Sequence, residues 1–218
     1  MKNSAFSKDN LKILIPSITP QQIAQLEKFA TLLREWNQRH NLISRKDSDH
    51  IWENHILPSL IPLALIELPE AYWLLDVGSG GGFPAIPIKI VRPDLQMMLI
   101  DSVRKKTLFL QKIVLDLQLE NVVVKRERIE SLNDPTFMEK FDVVTARAVA
   151  DISALVEWSR PFLKREGSLL LWKGLSDTEE LEEIAQGLML KYEVISVPYK
   201  FQSLSGKFEE LCLLKIRF

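Results

Sequence analysis

WLLDVGSGGGFPAIP, residues 73–87, decides the fold. Its apolar opening, with Tyr72 just before it, reads as a buried strand over 72–75 that Asp76 closes. Glycines at 78, 80, 81 and 82 follow, with Ser79 among them. Such a turn permits positive φ and lets backbone come close to a ligand. Ile86, Ile88, Ile90 and Val91 then supply apolar positions for a helix or a further buried segment. Strand, glycine turn and helix start form the nucleotide-binding corner of an open α/β sheet, where ligands lie beyond the carboxyl ends of the strands.

The glycine spacing narrows the ligand. A dinucleotide fingerprint, G-x-G-x-x-G, counted from Gly78 and Gly80 requires glycine where Phe83 stands, so that pattern fails. The run Asp76-Val77-Gly78-x-Gly80-x-Gly82 resembles instead the first motif of Rossmann-like S-adenosylmethionine-dependent methyltransferases. A second apolar run over 95–100 ends in Asp101. A carboxylate at the end of a second strand suits a bidentate hydrogen bond to ribose hydroxyls.

Composition sets the bounds. The chain has 218 residues, enough for one large domain or a domain with an extension. Hydrophobic residues make up 46% and charged residues 26%, a balance that buries a proper core. A net charge of −1 does not announce a nucleic-acid binder, so any such role rests on a local patch. Cys212 is the single cysteine, which rules out an internal disulfide and fits a reducing compartment. No apolar run reaches the length of a membrane span and the N-terminus has no signal-peptide core, so a cytoplasmic protein with no membrane partner is expected.

Residues 1–70 read as a helical extension before a core over 71–218, the two forming one globular unit. Thr19-Pro20-Gln21-Gln22 is a capping box with proline at the first helical position. Ile23, Leu26, Phe29, Ala30, Leu33 and Trp36 follow at helical spacing. A second helix is expected from about Ser48 until Pro58 disturbs it. Beyond Asp101, helices are expected over 103–119, 152–163 and 177–190, and strands over 122–124, 141–145, 168–172, 192–197 and 211–216. Alternating strands and helices predict a parallel sheet. The last two strands, with no helix between them, predict a closing antiparallel pair. The expected fold is α/β, a mostly parallel seven-stranded sheet with one antiparallel strand.

Several segments in order extend the likeness: Asn41-Leu42-Ile43, Asn54-His55-Ile56-Leu57-x-Ser59-Leu60, residues 75–87, Leu99-Ile100-Asp101-Ser102-x-x-Lys105-Lys106, Arg147-Ala148 and Leu171-Trp172-Lys173-Gly174. Together they resemble the bacterial 16S ribosomal RNA guanine-N7 methyltransferase family (RsmG, formerly GidB), from about Leu33 to Lys173. The family usually has arginine where Asn54 stands, which is expected to remove an RNA contact. It often has glycine where Ala85 stands, a change expected to be harmless in helical backbone.

The resemblance implies methyl transfer from S-adenosylmethionine to N7 of guanine 527 in 16S ribosomal RNA, with that RNA or the small subunit as partner and no role for DNA. Guanine N7 carries a free in-plane lone pair, so no general base is required, and none is evident. The Asn/Asp-Pro-Pro-aromatic motif used on exocyclic amines is absent. Cys212 lies in the last apolar run and reads as a small core residue rather than a nucleophile. Catalysis is then proximity and in-line alignment.

By position, Gly78 and Gly80 admit the methionine and ribose part of the cofactor and Asp101, with Ser102 next to it, holds the ribose; Ile129 and Glu130 follow the third strand, where the resemblance to the methyltransferase class implies contact with the adenine. The resemblance adds Phe83 as a cofactor position and Arg147 as a cofactor-proximal arginine; a surface ion pair is the other reading of Arg147. Asp76 either bonds the loop amides or receives the cofactor's ammonium through water; both stay open. RNA candidates are Arg34, Arg39, Arg45, Lys46, Arg104, Lys105, Lys106, Arg126 and Lys173, with Arg147 and Lys173 also placed to position substrate. His55, among apolar neighbours, reads as structural rather than RNA-binding. No metal-ligand spacing is present. The alternative function is a small-molecule methyltransferase, which a closed apolar pocket would favour over a basic rim. The intact glycines and Asp101 speak against a non-enzymatic binding protein, and the missing third glycine against a dehydrogenase.

Overall fold

The computed structural model describes residues 8–218. Three helices come first: α1 (Lys8–Leu14), α2 (Pro20–His40) and α3 (Leu57–Leu65). The capping box forms as expected. The Thr19 hydroxyl accepts the Gln22 N–H at 3.2 Å, and the Gln22 side-chain oxygen accepts the Thr19 N–H at 2.9 Å. Ile23, Leu26, Phe29, Ala30 and Leu33 are buried along one stripe, with Trp36 half-buried at its end.

The second helix differs from expectation. A 3-10 turn (Arg45–Asp47) stands before it, a single π-helical turn (Trp52–Ile56) begins it, and α3 then continues through Pro58 and Pro62. Pro58 sits in the first turn of α3, where its ring fits helical φ. Neither proline has an N–H to give the carbonyl four residues back. Those carbonyls, Asn54 and Pro58, are taken by other elements: Arg147 Nη2 donates to Asn54 O at 2.6 Å and Trp172 Nε1 to Pro58 O at 2.7 Å. The Ser205 hydroxyl donates to Glu53 O at 2.7 Å. The prolines thus leave acceptors that fasten the helical extension to the sheet, instead of ending the helix.

The sheet comprises β1 (Trp73–Val77), β2 (Gln96–Ile100), β3 (Val122–Lys125), β4 (Phe141–Arg147), β5 (Leu163–Gly174), β6 (Lys191–Ser196) and β7 (Leu211–Arg217), in the order β3-β2-β1-β4-β5-β7-β6. β1 to β5 run parallel, and β7 lies antiparallel to both β5 and β6. Between the strands come α4 (Ala85–Val91), α5 (Arg104–Asp116), α6 (Ile152–Ser159) and α7 (Thr178–Leu188). A short α8 (Tyr199–Gln202) and a 3-10 turn (Gly206–Phe208) occupy the last connection, which the sequence reading left without a helix; Phe201 and Phe208 bury there. Helix ends also differ: 160–162 is a 3-10 turn, and Leu163 already opens β5.

Successive strand residues face opposite sides. Leu74, Met97, Leu99, Val143 and Leu170 join α1 to α5 in one core. Leu75, Met98, Ile100, Val144 and Leu171 join α6 and α7 in the other. The strand order reverses direction between β1 and β4, and the crevice beyond their carboxyl ends is the ligand position of such a sheet. No helix among the described residues is long and apolar enough to cross a membrane.

Candidate functional site

The turn after β1 needs its glycines. Gly78 has φ +65°, and a Cβ there would lie 2.7 Å from Val149 Cγ2. Gly82 has φ +91°, and a Cβ there would lie 2.7 Å from Ile86 Cγ1 in α4. The turn is held across the sheet: Ser79 N–H donates to Ile100 O at 3.1 Å, and the Ser79 hydroxyl to Asp76 O at 2.9 Å.

Asp101 is the meeting point. Its Oδ2 accepts the Gly80 N–H at 2.9 Å and its Oδ1 accepts the Val103 N–H at 2.8 Å. Two amides therefore fix the plane of the carboxylate while each oxygen keeps a second lone pair. That carboxylate lines a cleft of about 310 Å³ beyond the carboxyl ends of β1, β2, β3 and β4. Gly78, Asp101, Ser102, Ile129 and Glu130 all lie on its wall. A cavity of this size, with a carboxylate and a bare glycine on its wall, fits a nucleoside-bearing ligand. Val103, Lys106, Glu127, Arg128, Ala148, Val149 and Trp158 complete the wall. Ala148 and Val149 follow the fourth strand, a position sequence could have flagged; Trp158 arrives on α6, with no local signal.

Four expected cofactor positions stand elsewhere. Gly80 reaches the cleft only through its amide on Asp101. Phe83 is buried and turned away from the cleft, with its ring stacked on His55 at 4.8 Å and edge-on to Phe29 at 5.4 Å. It plugs the glycine turn into the helical extension. Asp76 is wholly buried. Thr145 Oγ1 donates to its Oδ1 at 2.8 Å, Oδ2 has no partner, and no loop amide bonds the carboxylate. Burial pushes its carboxyl up to about 7, against the pull of Thr145 and Ser79.

Arg147 points neither into the cleft nor into a surface ion pair. Its guanidinium donates to Asn54 O at 2.6 Å and to His55 O at 3.3 Å. Burial lowers it to about 10, so it stays charged at neutral pH. His55 is largely buried, with its ring against Phe83. Burial first, and Arg147 second, lower it to about 4, against Asp47 at 3.4 Å. Asn54 donates to Asp47 Oδ1 at 2.7 Å inside the extension. Ala85 is the first residue of α4.

The basic candidates divide. Arg104 and Lys105 are exposed at the start of α5, and Lys106 turns into the cleft, 3.8 Å from Asp101 Oδ2. Arg39 is exposed in the last turn of α2. The segment after α2 covers the glycine turn: a Cβ on Gly81 would lie 3.2 Å from Ile43 Cγ2. Of these basic residues only Lys106 lines the cleft. Arg34 instead ties α2 to Ser48 O at 3.3 Å, and Arg45 bonds Asn41 Oδ1 at 3.4 Å. Lys46 and Arg126 are exposed. Lys173, half-buried near the end of β5, lies opposite Cys212. The Cys212 thiol is buried, and burial raises its pKa, as befits a core residue. No cluster with metal-ligand character occurs among the described residues.

A family model described as rRNA small subunit methyltransferase G matches residues 22–207. The ribosomal RNA small subunit methyltransferase G of Moorella thermoacetica is 36% identical over 186 residues, covering 85% of this chain and 76% of that protein. The one from Chromobacterium violaceum is 37% identical over 195 residues, covering 89% and 90%. Among solved structures, a SAM dependent methyltransferase from Aquifex aeolicus matches with a TM-score of 0.60 at 16% identity, over 79% of this chain and 94% of that one. That last likeness speaks for the fold alone.

Proposed function

The chain belongs to the ribosomal RNA small subunit methyltransferase G family, and from that membership we propose that it methylates N7 of a guanine, guanine 527, in 16S ribosomal RNA with S-adenosylmethionine as donor. One observation carries the reading on this chain. A carboxylate aimed by the Gly80 and Val103 amides stands on the wall of a nucleoside-sized cleft at the switch point of the sheet. Arg104 and Lys105, exposed beside Lys106 at the start of α5, favour a polyanion over a metabolite, which a closed apolar pocket would suit better.

Asp101 would hold the ribose hydroxyls with its two remaining lone pairs, and Ile129 and Glu130 would flank the base. Gly78, lacking a side chain, leaves room for the amino-acid end. S-adenosylmethionine supplies a methyl group on a sulfonium sulfur. Guanine N7 attacks with a lone pair that needs no deprotonation, so the residues of the cleft align partners rather than move protons. Exposed lysines and arginines would hold phosphates, which makes RNA binding weaken with salt. The protein would work where ribosomes are assembled, in the bacterial cytoplasm, on the RNA or the small subunit.

The test is transfer of label from methyl-labelled S-adenosylmethionine to small-subunit RNA from cells lacking this protein. Label in that RNA supports the reading. Label only in small molecules of a cell extract would move the assignment to a metabolite methyltransferase.

A further inference from the structure

Lys106 occupies the seam between the glycine turn and Asp101. Its Nζ lies 3.8 Å from Asp101 Oδ2 and 3.9 Å from the point a Cβ on Gly80 would take. Its side chain is 31% exposed, so the ammonium stands at the cleft wall rather than free in solvent. Asp101 neutralises it only in part, because that carboxylate is already shared by two backbone amides.

We propose that Lys106 reads the charge on the cofactor's sulfur: its ammonium disfavours the sulfonium form and favours the neutral thioether left after transfer. The inference rests on the reading of the cleft as the S-adenosylmethionine site. In that molecule the sulfur is one carbon away from the ribose. With the ribose hydroxyls on Asp101, the sulfur would stand within a few bonds of that carboxylate, and Lys106 is the ammonium on the same wall, 3.8 Å from Asp101 Oδ2. In the reaction N7 forms the new bond to the methyl carbon, the carbon–sulfur bond breaks, and both its electrons remain on sulfur. No proton moves. The positive charge passes from sulfur, beside the ammonium, to the guanine ring. An interaction that differs between starting and transferred states accelerates the step, whereas one common to both does not.

The contacts to ribose, adenine and carboxylate are shared by S-adenosylmethionine and S-adenosylhomocysteine, so they cancel in the ratio of the two dissociation constants. Only the charge on sulfur survives. Calorimetric titration of both ligands into the wild type, Lys106→Met and Lys106→Arg tests this. The expected result is a fall of roughly three- to tenfold in Kd(S-adenosylmethionine)/Kd(S-adenosylhomocysteine) for Lys106→Met, the size of a like-charge contact in a partly wet site. Lys106→Arg, which keeps the charge, should keep the wild-type ratio. Two constants that shift by the same factor, or not at all, would overturn the role of Lys106 and leave the cleft assignment standing. Failure of the wild type to bind either ligand would overturn both.

Discussion

Removing the Arg147 guanidinium separates two roles for that residue, fastening the helical extension and touching the cofactor. In Arg147→Ala, Asn54 O loses its partner, and Pro58 has no N–H to replace it. His55 O keeps the Ser59 hydroxyl at 2.7 Å. One orphaned carbonyl costs about 1–3 kcal/mol and the lost charge-assisted bonds add to that, while release of a buried cation offsets part, for a net loss of about 2–3 kcal/mol. Urea unfolding measures it. Arg147→Lys should lose less, since an ammonium can still reach one carbonyl. Pro58→Ala in the Arg147→Ala background returns an amide four residues beyond Asn54 and should recover about 1 kcal/mol, a coupling that a double-mutant cycle isolates. Calorimetry should find the S-adenosylmethionine affinity within about threefold of wild type, because no cleft contact is lost. A stability change under about 0.5 kcal/mol with a tenfold weaker cofactor would refute this and put the guanidinium in the cleft.

Asp76→Asn removes a carboxyl held near 7 in the folded state and near its ordinary value when unfolded. A raised acid contributes stability that is present below the unfolded pKa and lost as pH rises to the folded one. The variant should therefore match the wild type near pH 4 and exceed it by about 2–4 kcal/mol above pH 7 in urea titrations; equal stabilities at pH 8 would contradict the buried assignment. Gly78→Ala forces a methyl to within 2.7 Å of Val149 at positive φ. Val149 lines the cleft, so melting temperature and cofactor affinity should fall together, the first by about 1–3 kcal/mol equivalent. Asp101→Ala should weaken cofactor binding tenfold or more while Lys173→Ala lowers RNA turnover with cofactor affinity kept; equal cofactor affinity in Asp101→Ala and wild type would remove Asp101 from the ribose.

The seven strands and the glycine corner were legible because they are local: alternating apolar runs, positive-φ glycines and an acid at a strand end are each written in consecutive residues. Asp101 and Ser102 lie on the cleft by that logic, and Ile129 and Glu130 by the class resemblance. What sequence missed depends on direction or on distant partners. Phe83 and Arg147 sit beside the cleft in the chain but turn into the extension, because His55, Phe29 and the carbonyls freed by Pro58 receive them. Pro58 reads as a helix breaker because the side chain that satisfies the carbonyl four residues before it lies more than ninety residues away. Lys106 was grouped with its exposed neighbours, and only the turn of α5 sets it apart.

The most direct test of the whole account is the identity of the methylated atom. Small ribosomal subunits lacking this methyl group would be incubated with the protein and labelled S-adenosylmethionine, and the RNA digested to nucleosides for mass analysis. The account predicts label as 7-methylguanosine at one position, formed at a rate that shows no ionisation of a catalytic base. Label on an exocyclic amine or a pyrimidine carbon would make a proton acceptor or a thiol nucleophile part of the reaction, and would contradict it.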